Sequence, residues 1–336
     1  MVKKVLITGM TGMVGSHLAD LLLSEEQDCQ IFGTKRWRSP LNNINHLLGR
    51  VTLFDCNLAD SMNCLKLIDA VRPDYIFHLA ALSYVPDSWV LPEVTLSNNT
   101  MMQLHLFEAI RHVGIDPIVQ VALSSEQYGK VFPHEVPIRE NNPFRPLSPY
   151  AVSKVGQDML AYQYHQSYGL KVIRTRAFNH EGPRRGEVFV TSNFAKQIAE
   201  IEAGIKPPII YVGNLSAQRD WSDVRDIVRG YWLAVQHCIP GEDYVLASGK
   251  SRTIRQMLDI LLSFTSKKIE IAVDPARMRP SDVEILQGDA SKFKAATGWE
   301  PRYAFEQTME DLLNYWRHEI KSRSACLPIE ALPKPK

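Results

Sequence analysis

Tyr150 and Lys154 lie four residues apart in the stretch SPYAVSK, so a helix would present both side chains on one face. A tyrosine hydroxyl has a pKa of about 10 in water, and a nearby ammonium favours the tyrosinate, which can act as a base. Ser124 ends a strand-like run upstream and can hydrogen-bond the same substrate hydroxyl. Together the three residue types predict a site that moves a proton on or off a hydroxyl group.

A carboxylate follows Ser124 in VALSSEQYGK. If the reaction eliminates water, Glu126 can serve first as base and then as acid, because one carboxyl group can take a proton and return it. The alternative is a turn carboxylate that hydrogen-bonds the local backbone. Ser125, between the two, is a candidate substrate contact.

Three glycines, Gly9, Gly12 and Gly15, separate a strand pattern from a helix pattern in KVLITGMTGMVGSHLADLLL. In that context the first allows a tight turn, the second lets backbone amides approach a pyrophosphate, and the third lets helix and strand pack closely. We therefore predict a dinucleotide site, whose cationic nicotinamide would add to the charge of Lys154 beside Tyr150.

The end of the second predicted strand indicates which dinucleotide binds. An acidic residue there favours NAD, but this chain has IFGTKRWRSP. Arg36 lies nearest the expected position and can hold a 2′-phosphate by charge-assisted hydrogen bonds, which favours NADP. Lys35 and Arg38 fit a solvated basic loop as well as a phosphate site.

The first half of the chain alternates between strand-like runs (KVLIT, QIFGT, VTLFD, YIFHLA, IVQVAL, VIRTRAF) and amphipathic helix patterns. This alternation predicts an α/β protein with a doubly wound parallel sheet, the Rossmann fold. After about Asn179 the rhythm changes, and Pro and Gly become frequent. We predict an NADP-binding domain over 1–178, a smaller interleaved α/β substrate domain over 179–325 and a flexible tail over 326–336.

The composition argues against other classes of protein. Lys and Arg number 38 and Asp and Glu 37, so the net charge of +1 gives no electrostatic case for binding nucleic acid. No apolar run is long enough to cross a bilayer, and the start, MVKKVLITGM, lacks a signal-peptide layout. Five Cys without a C-x-x-C pair fit reduced thiols, and the His residues lack metal-ligand partners. We predict a cytoplasmic protein without a metal site.

Six motifs, spread over nearly the whole chain, resemble the extended short-chain dehydrogenase/reductases that act on nucleotide sugars: TGMTGMVG, HLAALS, SSEQYG, SPYAVSK, FNHEGP and RDWSDVRD. Two subfamilies are similar, the GDP-mannose 4,6-dehydratases and the GDP-4-keto-6-deoxymannose reductases that follow them. Ser-Ser-Glu resembles the Thr-Ser-Glu of the dehydratases, but some of the reductases resemble Ser-Ser-Glu too. FNHEGPRRG resembles the FNHESPRRG of the dehydratases. Other segments favour the reductases: the dehydratases usually carry Gln-Asp where this chain has Met13 and Val14, and SNFAKQIAEIEAG is closer to the reductases.

The resemblance to the dehydratases implies an NADP-dependent lyase. It would oxidise C4 of GDP-mannose, eliminate water across C5 and C6, and return the hydride to C6, with Ser124, Glu126, Tyr150 and Lys154 as catalytic residues. The reductase alternative implies that NADPH delivers hydride to a C4 ketone while Tyr150 protonates the alkoxide. Another nucleotide-sugar epimerase or dehydratase is a further alternative. A non-catalytic NADP-binding protein is disfavoured by the intact Ser–Tyr–Lys set.

The resemblance also implies that His180 and Arg185 contact NADP and that Arg184 reaches a neighbouring subunit. The full set of predicted cofactor-binding residues is Gly9, Thr11, Gly12, Met13, Val14, Gly15, Arg36, Asn57, Leu58, Leu79, Ala80, Ala81, Tyr150, Lys154, His180 and Arg185.

A nucleotide-sugar diphosphate needs cationic donors, and guanidinium groups match phosphate oxygens bidentately. Arg219 and Arg279 are the candidates, although an ion pair with Asp282 or Glu284 is the alternative for Arg279. The other predicted substrate contacts are Ser83, Ser88, Ser125, Asn179 and Asn193. Guanine as the base follows from the resemblance alone.

Two predicted helices, around 98–112 and 150–169, would form a four-helix dimer interface if the chain follows the family. That implies a homodimer or homotetramer. Their apolar residues fit either a core or an interface; they are Met101, Leu104, Leu106, Phe107, Met159, Leu160 and Tyr164.

Overall fold

The computed structural model describes residues 2–25, 28–278 and 283–325. The predicted tail over 326–336 and the candidate Arg279 lie outside the described residues. The strands are β1 (Lys3–Thr8), β2 (Cys29–Lys35), β3 (Thr52–Asp55), β4 (Tyr75–His78), β5 (Ile118–Ser124), β6 (Val172–Ala177), β7 (Asn179–Glu181), β8 (Ile209–Val212), β9 (Gln218–Asp223), β10 (Asp243–Leu246), β11 (Ser251–Thr253), β12 (Glu270–Val273) and β13 (Ile285–Leu286).

The helices cover both faces of the main sheet and build the second lobe. They are α1 (Met13–Glu25), α2 (Ser61–Val71), α3 (Val85–Val90), α4 (Pro92–Val113), α5 (Pro149–Tyr168), α6 (Val190–Glu202), α7 (Val224–His237), α8 (Ile254–Ser263), α9 (Ser291–Thr297) and α10 (Phe305–Ala325). Short 3₁₀ segments occupy Asn42–Leu47, Ser125–Gln127, Pro133–Glu135 and Pro275–Arg277.

Seven parallel strands form the main sheet in the order β10-β6-β5-β4-β1-β2-β3. Its first six strands along the chain are the six runs found in the sequence, so the predicted doubly wound fold is confirmed. The winding direction reverses between β1 and β4. Ligands of such sheets bind in the crevice outside the carboxyl ends of the strands at that point.

Alternation along β1 shows why the strands are apolar throughout. Val5 and Ile7 pack into the core on the side of α1 and α7, whereas Leu6 packs into the core on the side of α2, α4 and α5. Successive side chains of a strand point to opposite faces, and here helices cover both.

The second half of the chain contributes to both lobes. α7 packs on α1, and β10 pairs with β6 at the edge of the main sheet. The rest forms a smaller lobe in which β9 pairs with β7, β11 and β13, and β8 pairs with β12. A separate core of α6, α8 and α10 residues, including Ile198, Leu258 and Leu312, holds this lobe together.

Within the described ranges, no helix combines the length and the apolar character needed to cross a membrane. Cys29, Cys56, Cys64 and Cys238 are free thiols.

Candidate functional site

A cavity of about 950 Å³ opens at the carboxyl ends of β4, β5 and β6, and α6 and β9 of the smaller lobe form its opposite wall. This volume lies within the usual range for small-molecule sites. The fold brings fourteen of the predicted site residues to its lining: Val14, Leu79, Ala81, Ser83, Ser124, Ser125, Glu126, Tyr150, Lys154, Asn179, His180, Arg185, Asn193 and Arg219.

The glycine loop between β1 and α1 has the geometry of a phosphate-binding turn. Gly9 has φ +69°, and its carbonyl accepts a 3.0 Å hydrogen bond from the Gly12 N–H. A Cβ on Gly15 would lie 2.6 Å from the Gly9 oxygen, so only glycine allows α1 to start this close to β1. Thr8 Oγ1 accepts hydrogen bonds from the N–H groups of Leu79 and Ala80, at 3.0 and 3.1 Å, which brings the end of β4 beside the loop. The residues present therefore fit a dinucleotide pyrophosphate.

The three cations after β2 are placed differently. Lys35 is paired with Asp55 at the end of β3. The Arg38 guanidinium lies 4.4 Å from the centroid of the Trp37 ring. The Arg36 side chain is exposed where β2 ends, and its backbone N–H donates to Ser39 Oγ at 3.0 Å. Arg36 therefore fits a 2′-phosphate contact best, as the sequence suggests. Asn57 is exposed and Leu58 is buried just beyond β3.

The start of α5 delivers the tyrosine and the lysine to the cavity. Ser148 caps this helix by accepting from the Ala151 N–H at 3.1 Å, and Pro149 occupies its first turn. Ser124, at the end of β5, lies near enough to the Tyr150 hydroxyl to lower its pKa. Lys154 Nζ lies 5.9 Å from the centroid of the Tyr150 ring. The predicted Ser–Tyr–Lys grouping is thus assembled.

Burial dominates the electrostatics of this group. It raises the pKa of Tyr150 to about 12, and the nearby Glu126 charge adds to the rise, while Ser124 and Arg185 oppose it. Burial also lowers the pKa of Lys154 to about 7. Among the protein's own groups, desolvation of the tyrosinate thus outweighs the opposing effects of Ser124 and Arg185.

Glu126 lies in the cavity wall, half-buried, in the turn that follows β5. Its backbone N–H donates to Ser124 Oγ at 3.2 Å, so the two catalytic candidates belong to one turn. Its charge acts on the Tyr150 hydroxyl. An acid–base group therefore lies beside the proton-transfer group, which the Ser–Tyr–Lys set by itself would not supply.

Residues of the FNHEGPRRG segment, among them Asn179, His180 and Arg185, line one side of the cavity. The His180 imidazole is neutral at pH 7, because burial and the Arg185 charge lower its pKa to about 4. Its Nδ1 lies 2.9 Å from the Phe178 carbonyl, which can only accept, so Nδ1 carries the proton. The Arg185 guanidinium lies over the Phe189 ring, 3.5 Å from its centroid, and 3.4 Å from Glu181.

Arg184 pairs within its own chain, and its contact with a neighbouring subunit stays a prediction. Its Nη1 donates to Asp20 of α1 in the same chain at 2.6 Å. The described chain therefore already provides an anionic partner for the residue that was expected to reach a neighbouring subunit.

The substrate-side candidates divide into two groups. Ser83, Ser125, Asn179, Asn193 and Arg219 line the cavity. Ser88 does not, because it is fully buried in α3 and its hydroxyl donates to the Val85 carbonyl at 2.6 Å.

The diphosphate-binding candidates are held by the smaller lobe. Arg219 donates from Nη1 to the carbonyl of Val283 at 2.6 Å. Its neighbour Asp220 is buried and accepts from the N–H groups of Ser248 and Gly249 at 2.8 and 2.9 Å, so its role is to shape the lobe. Burial raises the pKa of Asp220, and those hydrogen bonds oppose the rise.

Sequence reasoning missed one residue that lines the cavity, Arg277, and one, Asn99, that holds Leu82 between the lining residues Ala81 and Ser83. Arg277 lines the cavity and donates from Nη1 to Asn193 Oδ1 at 2.9 Å. Asn99, fully buried in α4, bonds both backbone groups of Leu82 and donates to Ser153 Oγ of α5 at 2.9 Å. The sequence gives little signal for Asn99, because its neighbours on the same buried helix face, Thr95 and Gln103, are polar as well.

No cluster of three or more His, Cys, Asp or Glu side chains suited to a metal ion occurs in the part of the chain that the structure describes.

Comparisons with known proteins agree with this architecture. A sequence model of the family GDP-mannose 4,6 dehydratase matches residues 6–312. The chain is 36% identical to a GDP-mannose 4,6-dehydratase of Yersinia enterocolitica, over 93% of each chain, and 34% identical to one of Vibrio cholerae, over 95% and 96%. The solved structure of RMD from Pseudomonas aeruginosa complexed with NADPH is similar, with 28% identity, a TM-score of 0.83, and 94% and 99% of the two chains covered. On the family match and these relatives, this chain belongs to the GDP-mannose 4,6-dehydratase family.

Proposed function

We propose that this protein is an NADP-dependent GDP-mannose 4,6-dehydratase, a lyase that forms a GDP-4-keto-6-deoxy sugar. The curated relatives carry that name. The observation that carries the proposal is the position of Glu126, which shares a turn with Ser124 and acts electrostatically on Tyr150 at the cavity wall. A 4,6-dehydratase needs an acid–base group for water elimination in addition to a proton acceptor for the C4 hydroxyl, whereas a 4-reductase needs only one proton donor.

The chain offers a complete cradle for NADP. Gly9, Gly12 and Gly15 would hold the pyrophosphate, Arg36 the 2′-phosphate, and His180 and Arg185 the nicotinamide end. The other proposed cofactor residues are Thr11, Met13, Val14, Asn57, Leu58, Leu79, Ala80 and Ala81. When bound, NADP supplies the oxidant for C4 and, once reduced, the hydride for C6.

The side chains of this protein would move the protons. Tyr150, which lies beside Ser124, takes the proton of the C4 hydroxyl as that carbon is oxidised. The new C4 ketone makes the C5 proton acidic, and the Glu126 carboxylate removes it. As the C6–O bond breaks, the same carboxyl group donates that proton to the departing hydroxyl, which leaves as water. C5 then regains one proton, which balances the one that Tyr150 took from O4.

The smaller lobe would bind the nucleotide diphosphate. Arg219 and Arg277 present guanidinium groups to the cavity, and Asn179, Asn193, Ser83 and Ser125 add neutral donors. Arg279 stays a proposed contact. This assignment divides the chain into a cofactor domain over 1–178 and a substrate domain over 179–325, except that α7 and β10 complete the main sheet.

We also propose a cytoplasmic homodimer or homotetramer assembled through α4 and α5. Met101 and Met159 are 37% and 45% exposed on these helices, whereas Leu106 and Phe107 are in the core. The outer face of this helix pair thus retains apolar side chains that a second copy would cover.

The test is to mix the full chain with GDP-mannose and a trace of NADP, without a reductant, and to follow product mass. We expect a product lighter by one water to accumulate well beyond the NADP supplied, because a dehydratase is redox-neutral. No water loss, together with NADPH consumption on addition of a GDP-4-keto-6-deoxy sugar, would overturn the proposal in favour of the reductase.

A further inference from the structure

We infer that Gln127 and Asp158 form a buried positioning pair. The pair fixes the turn that carries Glu126 and so determines the rate of the water-elimination step. The inference rests on the proposed function, because that function assigns the step to Glu126. Neither residue lines the cavity, so neither is a candidate for contact with the substrate.

The turn has little internal stability of its own. It is a 3₁₀ segment of three residues, Ser125–Gln127. A capping box holds it: Ser124 Oγ accepts from the Glu126 N–H at 3.2 Å, and Gln127 Oε1 accepts from the Ser124 N–H at 3.0 Å. The Gln127 side-chain amide therefore fixes the backbone of the turn at Ser124, next to Glu126.

The other end of the same amide is anchored far more firmly. Gln127 Nε2 donates to Asp158 Oδ2 at 2.8 Å. Asp158 also accepts from Arg174 Nη1 and Arg176 Nε, both at 2.7 Å. Both Gln127 and Asp158 have 0% exposure. A carboxylate held by two buried guanidinium groups on β6 has no freedom to follow a moving turn.

Asp158 belongs to the helix that also carries the tyrosine and the lysine. Tyr150, Lys154 and Asp158 follow one another at intervals of four and form a single stripe on α5. Tyr150 and Lys154 reach Ser124 and the carbonyl of Ala122, both in β5. Asp158 extends the same stripe to Gln127, so one rigid helix face orients the proton acceptor and the Glu126 turn together.

Further ion pairs and hydrogen bonds hold the cluster around Asp158 in place. Arg176 also pairs with Asp243 of β10 at 2.5 Å and donates to Tyr128 Oη at 3.2 Å. A buried amide without hydrogen-bond partners destabilises the folded state, so a glutamine at position 127 is favourable only while both of its hydrogen bonds are made. This requirement distinguishes Gln127 from an apolar residue that would merely fill the space.

The test compares two buried glutamines that both anchor to α5. Gln103 has 0% exposure and donates from Nε2 to the Gln157 carbonyl at 2.7 Å, but it has no hydrogen bond to the Glu126 turn. We compare Gln127→Met with Gln103→Met in the full chain. Both replacements keep side-chain length and remove the hydrogen bonds, so both lower stability.

Two steps are measured for each variant with GDP-mannose: single-turnover reduction of NADP, which reports C4 oxidation, and formation of the dehydrated product. In Gln127→Met we expect water loss to slow by at least about tenfold, because a small displacement of an acid–base group reduces the rate steeply. C4 oxidation and KM stay within about twofold, so reduced cofactor accumulates. Gln103→Met keeps the wild-type ratio of the two steps. An unchanged ratio in Gln127→Met, or an equal fall of both steps, would overturn the inference.

A second readout does not depend on the reaction. Amide hydrogen exchange of the segment 121–130 should accelerate by at least about tenfold in Gln127→Met and stay at the wild-type rate in Gln103→Met. Unchanged protection in Gln127→Met would refute the positioning pair, whatever the activity of the protein. A wild-type protein that loses no water from GDP-mannose would refute only the proposed function. If Gln127→Met does not fold, Gln127→Asn replaces it, because its shorter amide cannot reach both Ser124 and Asp158.

Discussion

Lys154 donates a 2.9 Å hydrogen bond from Nζ to the backbone carbonyl of Ala122, two residues before Ser124. The lysine on α5 is thereby bound to the strand that carries the serine. Its side chain is buried, and burial lowers its pKa from 10.5 to about 7. The ammonium that is expected to assist Tyr150 is therefore held at a cost in folding stability.

This cost predicts a pH dependence of stability with a definite sign. Between pH 7 and about pH 10 the folded protein has released the Lys154 proton while the unfolded chain still holds it, so the free energy of unfolding rises with pH. Below pH 7 both states are protonated and the full cost applies. In Lys154→Met the cost is absent, so the variant's stability relative to wild type should fall by ~2 kcal/mol from pH 7 to pH 9. Urea unfolding at several pH values, with the exposed Lys66→Met as control, measures this; a pH-independent difference would contradict it.

Glu126→Gln separates the two halves of the proposed reaction. The amide keeps the size of the side chain but cannot take the C5 proton, so water loss should fall by at least about 100-fold. NADP binding and C4 oxidation should persist, since neither step uses this carboxylate. Product mass and single-turnover absorbance of the reduced cofactor report the two steps, and Glu93→Gln, an exposed position on α4, is the control. Retained dehydration in Glu126→Gln would remove Glu126 from the mechanism.

Gly15→Ala should damage the cofactor loop by crowding. The added methyl would lie 2.6 Å from the Gly9 oxygen and 2.7 Å from Met10 Cα, so helix and strand must separate, which costs about 1–3 kcal/mol. The matched control is Gly156→Ala in α5, where the nearest atom is at 3.5 Å and alanine should stabilise the helix by about 0.5–1 kcal/mol. Thermal unfolding and NADP titration of both variants check the opposite signs. Equal NADP affinity in Gly15→Ala and wild type would argue against the pyrophosphate site.

Arg36→Ala should reduce the preference for NADP over NAD. Loss of a charge-assisted contact to the 2′-phosphate should weaken NADP binding about 10- to 100-fold and leave NAD affinity within about twofold. The Arg38 guanidinium lies on the Trp37 ring, so Arg38→Ala should change the affinity for either dinucleotide less than Arg36→Ala changes the affinity for NADP. Calorimetric titration with both dinucleotides tests this. If Arg38→Ala loses more NADP affinity than Arg36→Ala, the phosphate contact is assigned to the wrong arginine.

The family resemblance and the chemistry of the site could be predicted from local patterns. The glycine spacing, Tyr-x-x-x-Lys and Ser-Ser-Glu are short stretches whose meaning depends only on a strand or helix around them, and those elements follow from periodicity. Arg277 and Asn99 could not be found this way, because each acts through a partner distant in sequence, Asn193 and Ser153 respectively.

Sequence by itself determined the doubly wound sheet, the dinucleotide loop and the residue types of the catalytic group, since each is encoded by contiguous residues. Only the tertiary structure decided how those groups are held. It placed α7 and β10 on the main sheet, buried Ser88 away from the cavity and buried the Tyr150 hydroxyl so that its pKa is raised. It also joined Gln127 to Asp158 across 31 positions. These outcomes depend on desolvation and on long-range packing, which arise only when strands and helices remote in sequence meet.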